Sequence, residues 1–129
     1  MPNPAREHQQ APAATEATVL TKAALRAAAR LGLTNKTLAE VIGVSEATVS
    51  RMKDGAYLLR RGRKPFELAV LFVRLYRSLD AIVGGDERVA REWLRSRNTV
   101  LGEVPGTLIR RVDGLMDVIQ YLDARRAIV

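Results

Sequence analysis

Between residues 51 and 64 the chain sets six cations, Arg51, Lys53, Arg60, Arg61, Arg63 and Lys64, against one acid, Asp54. Such a cluster makes and breaks no covalent bonds; it holds anions, and a run this dense points to a polyanion, most often nucleic acid. A solvated loop carrying surplus charge is the plain alternative. Immediately upstream, Glu46, Ala47, Ser50 and Arg51 share one side of a helical pattern in which Val49 and Met52 take the other. These residue types suit base edges in a major groove: Arg51 for guanine O6 and N7, Glu46 for the cytosine amine, Ala47 for a thymine methyl, and Ser50 for either donor or acceptor edges. Asn35, Lys36, Ser45, Thr48, Lys53, Arg60 and Arg61 suit phosphate oxygens, which position a protein on DNA without reading its sequence. Ser45 equally suits a helix cap and Thr48 a plain surface position.

Catalytic chemistry is poorly supplied. His8 is the single histidine, cysteine is absent, and no His/Cys/carboxylate cluster has metal-ligand spacing. No glycine-rich loop follows a strand pattern, and the adjacent acids Asp86 and Glu87 fit helix capping better than acid–base work. The reading is therefore a non-enzyme with no cofactor, no metal and no small-molecule substrate. The longest apolar run, Leu68 to Val73, is far short of the ~20 residues of a membrane span. With no cysteine to form disulfides, a cytoplasmic, non-membrane protein is expected.

Charge along the chain agrees with a polyanion-binding first half. The net charge is +7 and the isoelectric point about 10.5. Residues 1–64 hold 11 basic and 5 acidic side chains, while residues 65–129 hold 10 and 9, so the excess lies almost wholly in the first half.

The elements that must position these residues are helical throughout. Residues 1–16, with three of the five prolines, read as a disordered N-terminal arm. Leu20, Ala24, Ala27 and Leu31 place a helix from about Ala17 to Gly32. Thr34 caps a short helix over 35–42, Gly43 breaks it, and Ser45 caps another over 46–53. A basic loop spans 56–64. Pro65 opens a longer helix to Ile82, Asp86 caps one to Ser96, and Pro105–Ile109 and Asp113–Arg125 complete the set.

Helix, sharp glycine turn, helix over 35–53 is the arrangement that lays one helix in a DNA major groove. Ala39 is small where two helices cross, and Leu38, Ile42, Val44, Val49 and Met52 supply the contacts that fix their angle. An αα-hairpin within an ordinary bundle is the simpler alternative. The expected fold is all-α: an N-terminal helix-turn-helix DNA-binding domain (17–64), a connecting or dimerisation helix (65–83) and a small helical C-terminal domain (84–129).

That last domain carries a family resemblance. Gly84-Gly85-Asp86, Arg91-Glu92-Trp93-Leu94-Arg95-Ser96, Asn98, Leu101-Gly102, Pro105, Leu108, Gly114, Val118 and Leu122 together resemble the toxin-binding domain of Xre/MbcA/ParS-type antitoxins. With the helix-turn-helix before it, the likeness covers about residues 18–129. It implies an antitoxin of a type II toxin–antitoxin module, partnered by a RES-domain toxin that consumes NAD⁺. The C-terminal domain would cover the toxin's active-site entrance, the N-terminal domain would bind and repress the module's own promoter DNA, and the chain would form a homodimer. Trp93 and Leu94 read as core. Arg110, Arg111, Arg125 and Arg126 suit an acidic or phosphate-binding toxin surface, although Arg125 and Arg126 equally suit a solvated helix end. Tyr121, Ile128 and Val129 are apolar positions for a partner to bury. The competing reading is a free-standing repressor whose C-terminal helices only dimerise.

Overall fold

The computed structural model describes residues 4–128, with side chains over 16–127. Seven helices follow one another: α1 (Pro4–Arg30), α2 (Asn35–Ile42), α3 (Glu46–Lys53), α4 (Lys64–Ile82), α5 (Glu87–Arg95), α6 (Pro105–Leu108) and α7 (Val112–Ile128). Among the described residues no strand forms, and the sole extended pairing is a bridge between Asn98 and Glu103. The fold is all-α, as the periodicity requires.

Short-range chemistry sets most helix starts. Thr34 Oγ1 accepts the Thr37 N–H at 3.1 Å, Ser45 Oγ that of Thr48 at 3.0 Å, and Asp86 Oδ1 that of Val89 at 3.2 Å. Each bond satisfies a donor that the first helical turn leaves open. Gly43 stops α2 in the left-handed region at φ 75°, with its N–H on the Ala39 carbonyl at 2.9 Å. A residue with a Cβ resists that conformation, so the turn between α2 and α3 needs glycine.

One expected boundary moves substantially. α1 begins at Pro4 rather than near Ala17, so residues 4–16 of the predicted arm have helical backbone. Proline at the first helical position lacks only an N–H that would have no intrahelical partner, and the Ala, Glu and Gln content behind it favours helix. Residues 1–3 lie outside the described residues, as does the side chain of His8.

α4 is the centre of the molecule. It packs against α1, α2 and α5 and most extensively against α7. Ala69, Phe72, Val73, Leu75, Ser78 and Leu79 are its buried positions. Around it α1 contributes Ala24, Ala27, Ala28 and Leu31, α2 contributes Leu38 and Ile42, and α7 contributes Leu115, Val118, Ile119 and Leu122, all in one apolar cluster.

α7 is held equally tightly at its start. A Cβ at Gly114 would lie 2.1 Å from the Leu108 carbonyl oxygen, a backbone atom with little freedom to retreat. Gly114→Ala is therefore expected to cost about 2–3 kcal/mol, lowering the Tm by roughly 8–12 °C in a thermal circular dichroism melt. A change under about 2 °C would mean that α6 moves aside freely.

Candidate functional site

The four predicted base-reading residues stand together. On α3, Val49 and Met52 point into the core, leaving Glu46, Ala47, Ser50 and Arg51 on one exposed stripe. Helical geometry makes this inevitable, since positions i, i+1, i+4 and i+5 share a face. Arg51 is not loose: its Nη2 donates to Thr48 Oγ1 at 3.1 Å, and that hydroxyl also pairs with Ser45 Oγ at 2.9 Å. Thr48 is itself buried, so its hydroxyl orders the helix start and the Arg51 side chain from within. Ser45 is the cap, as its position suggested.

The phosphate candidates divide. Lys36 and Arg60 are exposed, with no ion-pair partner among the described residues. Lys53 Nζ donates to Asn35 Oδ1, tying the end of α3 to the start of α2 and holding both predicted residues side by side. Arg61 is engaged differently. It forms a two-pronged pair with Glu16 at 3.0 and 2.9 Å and lies over the Phe66 ring with its guanidinium carbon 6.0 Å from the centroid. Its charge is thus offset on α1, leaving Arg60 as the more available of the two neighbours. Arg63, which charge counting alone did not separate from its neighbours, joins Arg60, Tyr57 and Pro65 around a concavity of about 340 Å³.

The basic loop has an anchor that the charge pattern hides. Leu59 is fully buried, and its N–H donates to Thr21 Oγ1 at 2.9 Å. Thr21 in turn donates to the Ala17 carbonyl at 2.7 Å. The loop carrying Arg60 and Arg61 is therefore pinned to α1. The apolar Tyr57-Leu58-Leu59 run within the basic loop was its available signal.

In the C-terminal half, Asn98 organises the turn between α5 and α6. Its Oδ1 accepts the N–H groups of Val100 and Leu101, both at 2.9 Å. The predicted partner-binding arginines separate here. Arg110 reaches back to α2, 3.4 Å from Glu40 and donating to Thr37 Oγ1 at 3.3 Å. Arg111 pairs with Asp113 at 3.4 Å in solvent. Arg126 points towards α4, with Nη1 3.5 Å from Ser78 Oγ. Arg125 lies over the ring of Tyr121 at 5.7 Å, and Tyr121 stacks on Trp93 with centroids 6.0 Å apart. Trp93 was read as core; it packs against the core and remains half-buried. The Ile128 side chain and Val129 lie outside the described residues.

A second arginine joins the two halves. Arg91 on α5 donates to the Arg30 carbonyl at 2.8 Å and the Ala29 carbonyl at 3.3 Å, closing the C-terminal end of α1. Arg30 itself donates to the Tyr76 hydroxyl at 3.0 Å, which raises the guanidinium pKa above its ordinary value.

Among the described residues no helix is long and apolar enough to cross a membrane. Residues 10–74 match the family model of the antitoxin Xre-like helix-turn-helix domain, and residues 78–127 match that of the antitoxin Xre/MbcA/ParS C-terminal toxin-binding domain. No curated relative matches the chain.

The expected roles of Arg51 in base reading and of Arg60 in phosphate contact are measurable apart. Arg51→Ala should relax preference at one base pair by about 1–3 kcal/mol while leaving affinity for unrelated duplex nearly unchanged. Arg60→Ala should weaken all duplexes alike and reduce the slope of log K against log salt by about 1. Fluorescence anisotropy over a salt series distinguishes them; unchanged binding in both variants would remove this face from the interface.

Proposed function

Because the chain belongs to the Xre-like antitoxins, DNA-binding proteins that carry a C-terminal toxin-binding domain, we propose that it neutralises a RES-type toxin that consumes NAD⁺ and represses its own promoter. Neutralisation is by occlusion: the domain beginning near Gly84 covers the entrance to the toxin's active site and changes no bond itself. At the promoter, α3 enters the major groove with Glu46, Ala47, Ser50 and Arg51 towards the bases. Lys36, Lys53 and Arg60 hold phosphates around it. The protein acts in the cytoplasm, where its DNA and its toxin are both present.

The observation that carries this reading is the division of the surface. The free cations near α3 and the aromatic face of α5 and α7 belong to different domains that share one core, so each is available to a separate partner. The RES identity and the self-repression rest on the family resemblance of the Trp-Leu, Asn, Leu-Gly and Pro residues between 93 and 105.

We propose a homodimer that forms through the groove between α1 and α4. Val19 is 58% exposed and Val70 45%, and both line a cleft of about 680 Å³ floored by Leu20, Phe66 and Val73. Joining two such faces across a two-fold axis would bury the valines and set two α3 helices on one duplex. The buried side of α4 is already used within the chain, so its outer edge, rather than the whole helix, makes the contact. Val70→Glu is expected to give a monomer in sedimentation equilibrium and to lower promoter affinity by at least about tenfold, since half-sites would then bind singly. A dimer that survives the change places the two-fold axis elsewhere.

For the toxin, the reading frame beside this gene is induced alone and together with this protein, while survival and cellular NAD⁺ are followed. The expected outcome is killing with NAD⁺ loss, both reversed by coexpression. A neighbour that is harmless, or whose killing persists, would favour a free-standing repressor with C-terminal helices used only for dimerisation.

A further inference from the structure

The arginines of the C-terminal domain are not equivalent, and the reason is geometric. On α7, Leu115, Val118, Ile119 and Leu122 are buried in the common core. Asp123 follows them towards α4, where it accepts from Arg74 and from Ser78 Oγ at 3.2 Å, and Arg126 also approaches Ser78. On that face of α7 the charged side chains already have partners on α4. Arg110 is likewise committed to Glu40 and Thr37 on α2.

Tyr121 and Arg125 stand four residues apart on the other side of α7, so they are neighbours along one stripe. Trp93 meets Tyr121 from α5 with only 21° between the ring planes. Tyr121 thus has the Trp93 indole 6.0 Å away between centroids and the Arg125 guanidinium 5.7 Å from its own centroid. Trp93 and Tyr121 are half-buried, their inner edges against the core and their outer edges in solvent, and Arg125 is exposed. Arg125 has no carboxylate partner among the described residues.

These features together describe a protein-docking centre. Trp, Tyr and Arg dominate the energetics of protein interfaces because each offers large area with little rotamer freedom left to lose. Here the stacking has already removed much of that freedom, so binding costs less ordering. All three residues lie within the span, 78–127, that matches a toxin-binding domain. We propose that Trp93, Tyr121 and Arg125 form the centre of the toxin-docking surface, and that the toxin presents to them a carboxylate set in an apolar surround. This rests on the antitoxin reading above. The carboxylate pairs with Arg125, while the surrounding apolar atoms cover the outer edges of the two rings.

The test uses the full chain and the protein encoded beside it, with binding followed by biolayer interferometry. Arg125→Glu and Tyr121→Ala should each weaken the complex at least about tenfold, with promoter affinity unchanged. Lys22→Glu, on an exposed position of α1, controls for the same two-unit change in charge and should bind as the parent does. Trp93 is the sole tryptophan, so 5-fluorotryptophan labelling yields one ¹⁹F resonance that reports on the stack without a mutation. That resonance should shift on saturation with toxin and stay in place with promoter DNA. If the parent chain binds the toxin while both variants bind within twofold, or the resonance does not move, the docking centre lies elsewhere and the antitoxin reading stands. If the parent chain itself fails to bind, the antitoxin reading falls and this surface with it.

Discussion

Burial of one helix from several sides is the constraint on which the rest of this structure depends. α4 has fully buried residues in Ala69, Phe72 and Leu75, and nearly so in Leu79. Removing a side chain such as Phe or Leu from water contributes about 1.5–3 kcal/mol, and α4 supplies such residues both to α1 and α2 and to α7. Neither the DNA-facing helices nor the toxin-facing ones could close a core without it. The boundary between the two matched domains, residues 74 to 78, accordingly falls inside this helix. The two are separate in sequence but not in packing. Alanines at 24, 27 and 28 allow α1 to lie close against this centre, since larger side chains would hold the helices apart.

On this apolar frame, polar contacts set orientation rather than stability. Exposed ion pairs contribute little, about 0–1 kcal/mol each, yet Arg91 and Arg110 cross from the C-terminal domain to different elements of the N-terminal one. Arg91 meets carbonyls at the end of α1, where the helix dipole favours positive charge. Arg110 meets α2. Because α2 sets the angle of α3 through the Gly43 turn, the position of the reading helix is tied to the start of α7.

Local signals made most of the fold legible. Thr34, Ser45 and Asp86 cap the helices they precede, Gly43 takes the conformation its position implied, and the stripe on α3 follows from helical spacing alone. Less legible were features that depend on distant residues. The start of α1 lies earlier than expected because the composition of residues 1–16, with three of the five prolines, reads as a disordered arm, although Pro4 sits at a position where proline is tolerated. The loop over 56–64 read only as basic; contact with Thr21, 38 positions away, shows Leu59 to be its anchor. Trp93 reads as core in preference to a partner contact, and spacing cannot report how much of its ring faces solvent.

The arginines were the hardest to separate, and for a physical reason. A guanidinium is charged in every setting near neutral pH, so composition registers each one identically. What differs is the partner, which is a property of the fold. Arg60 and Arg61 are adjacent, yet Glu16 lies within reach only of the second. Arg125 and Arg126 are adjacent too, and the roughly 100° between successive helix positions turns one towards a tyrosine ring and the other towards α4. A count of positive charge thus measures the capacity to bind anions, while the fold decides which charges keep it. In this chain turns bring Arg61 to Glu16 and Arg110 to Glu40, and helical phase brings Arg126 towards Ser78. Arg60 and Arg125 have no ion-pair partner among the described residues, so the charge available to anions is defined as much by what the fold withdraws as by what it exposes.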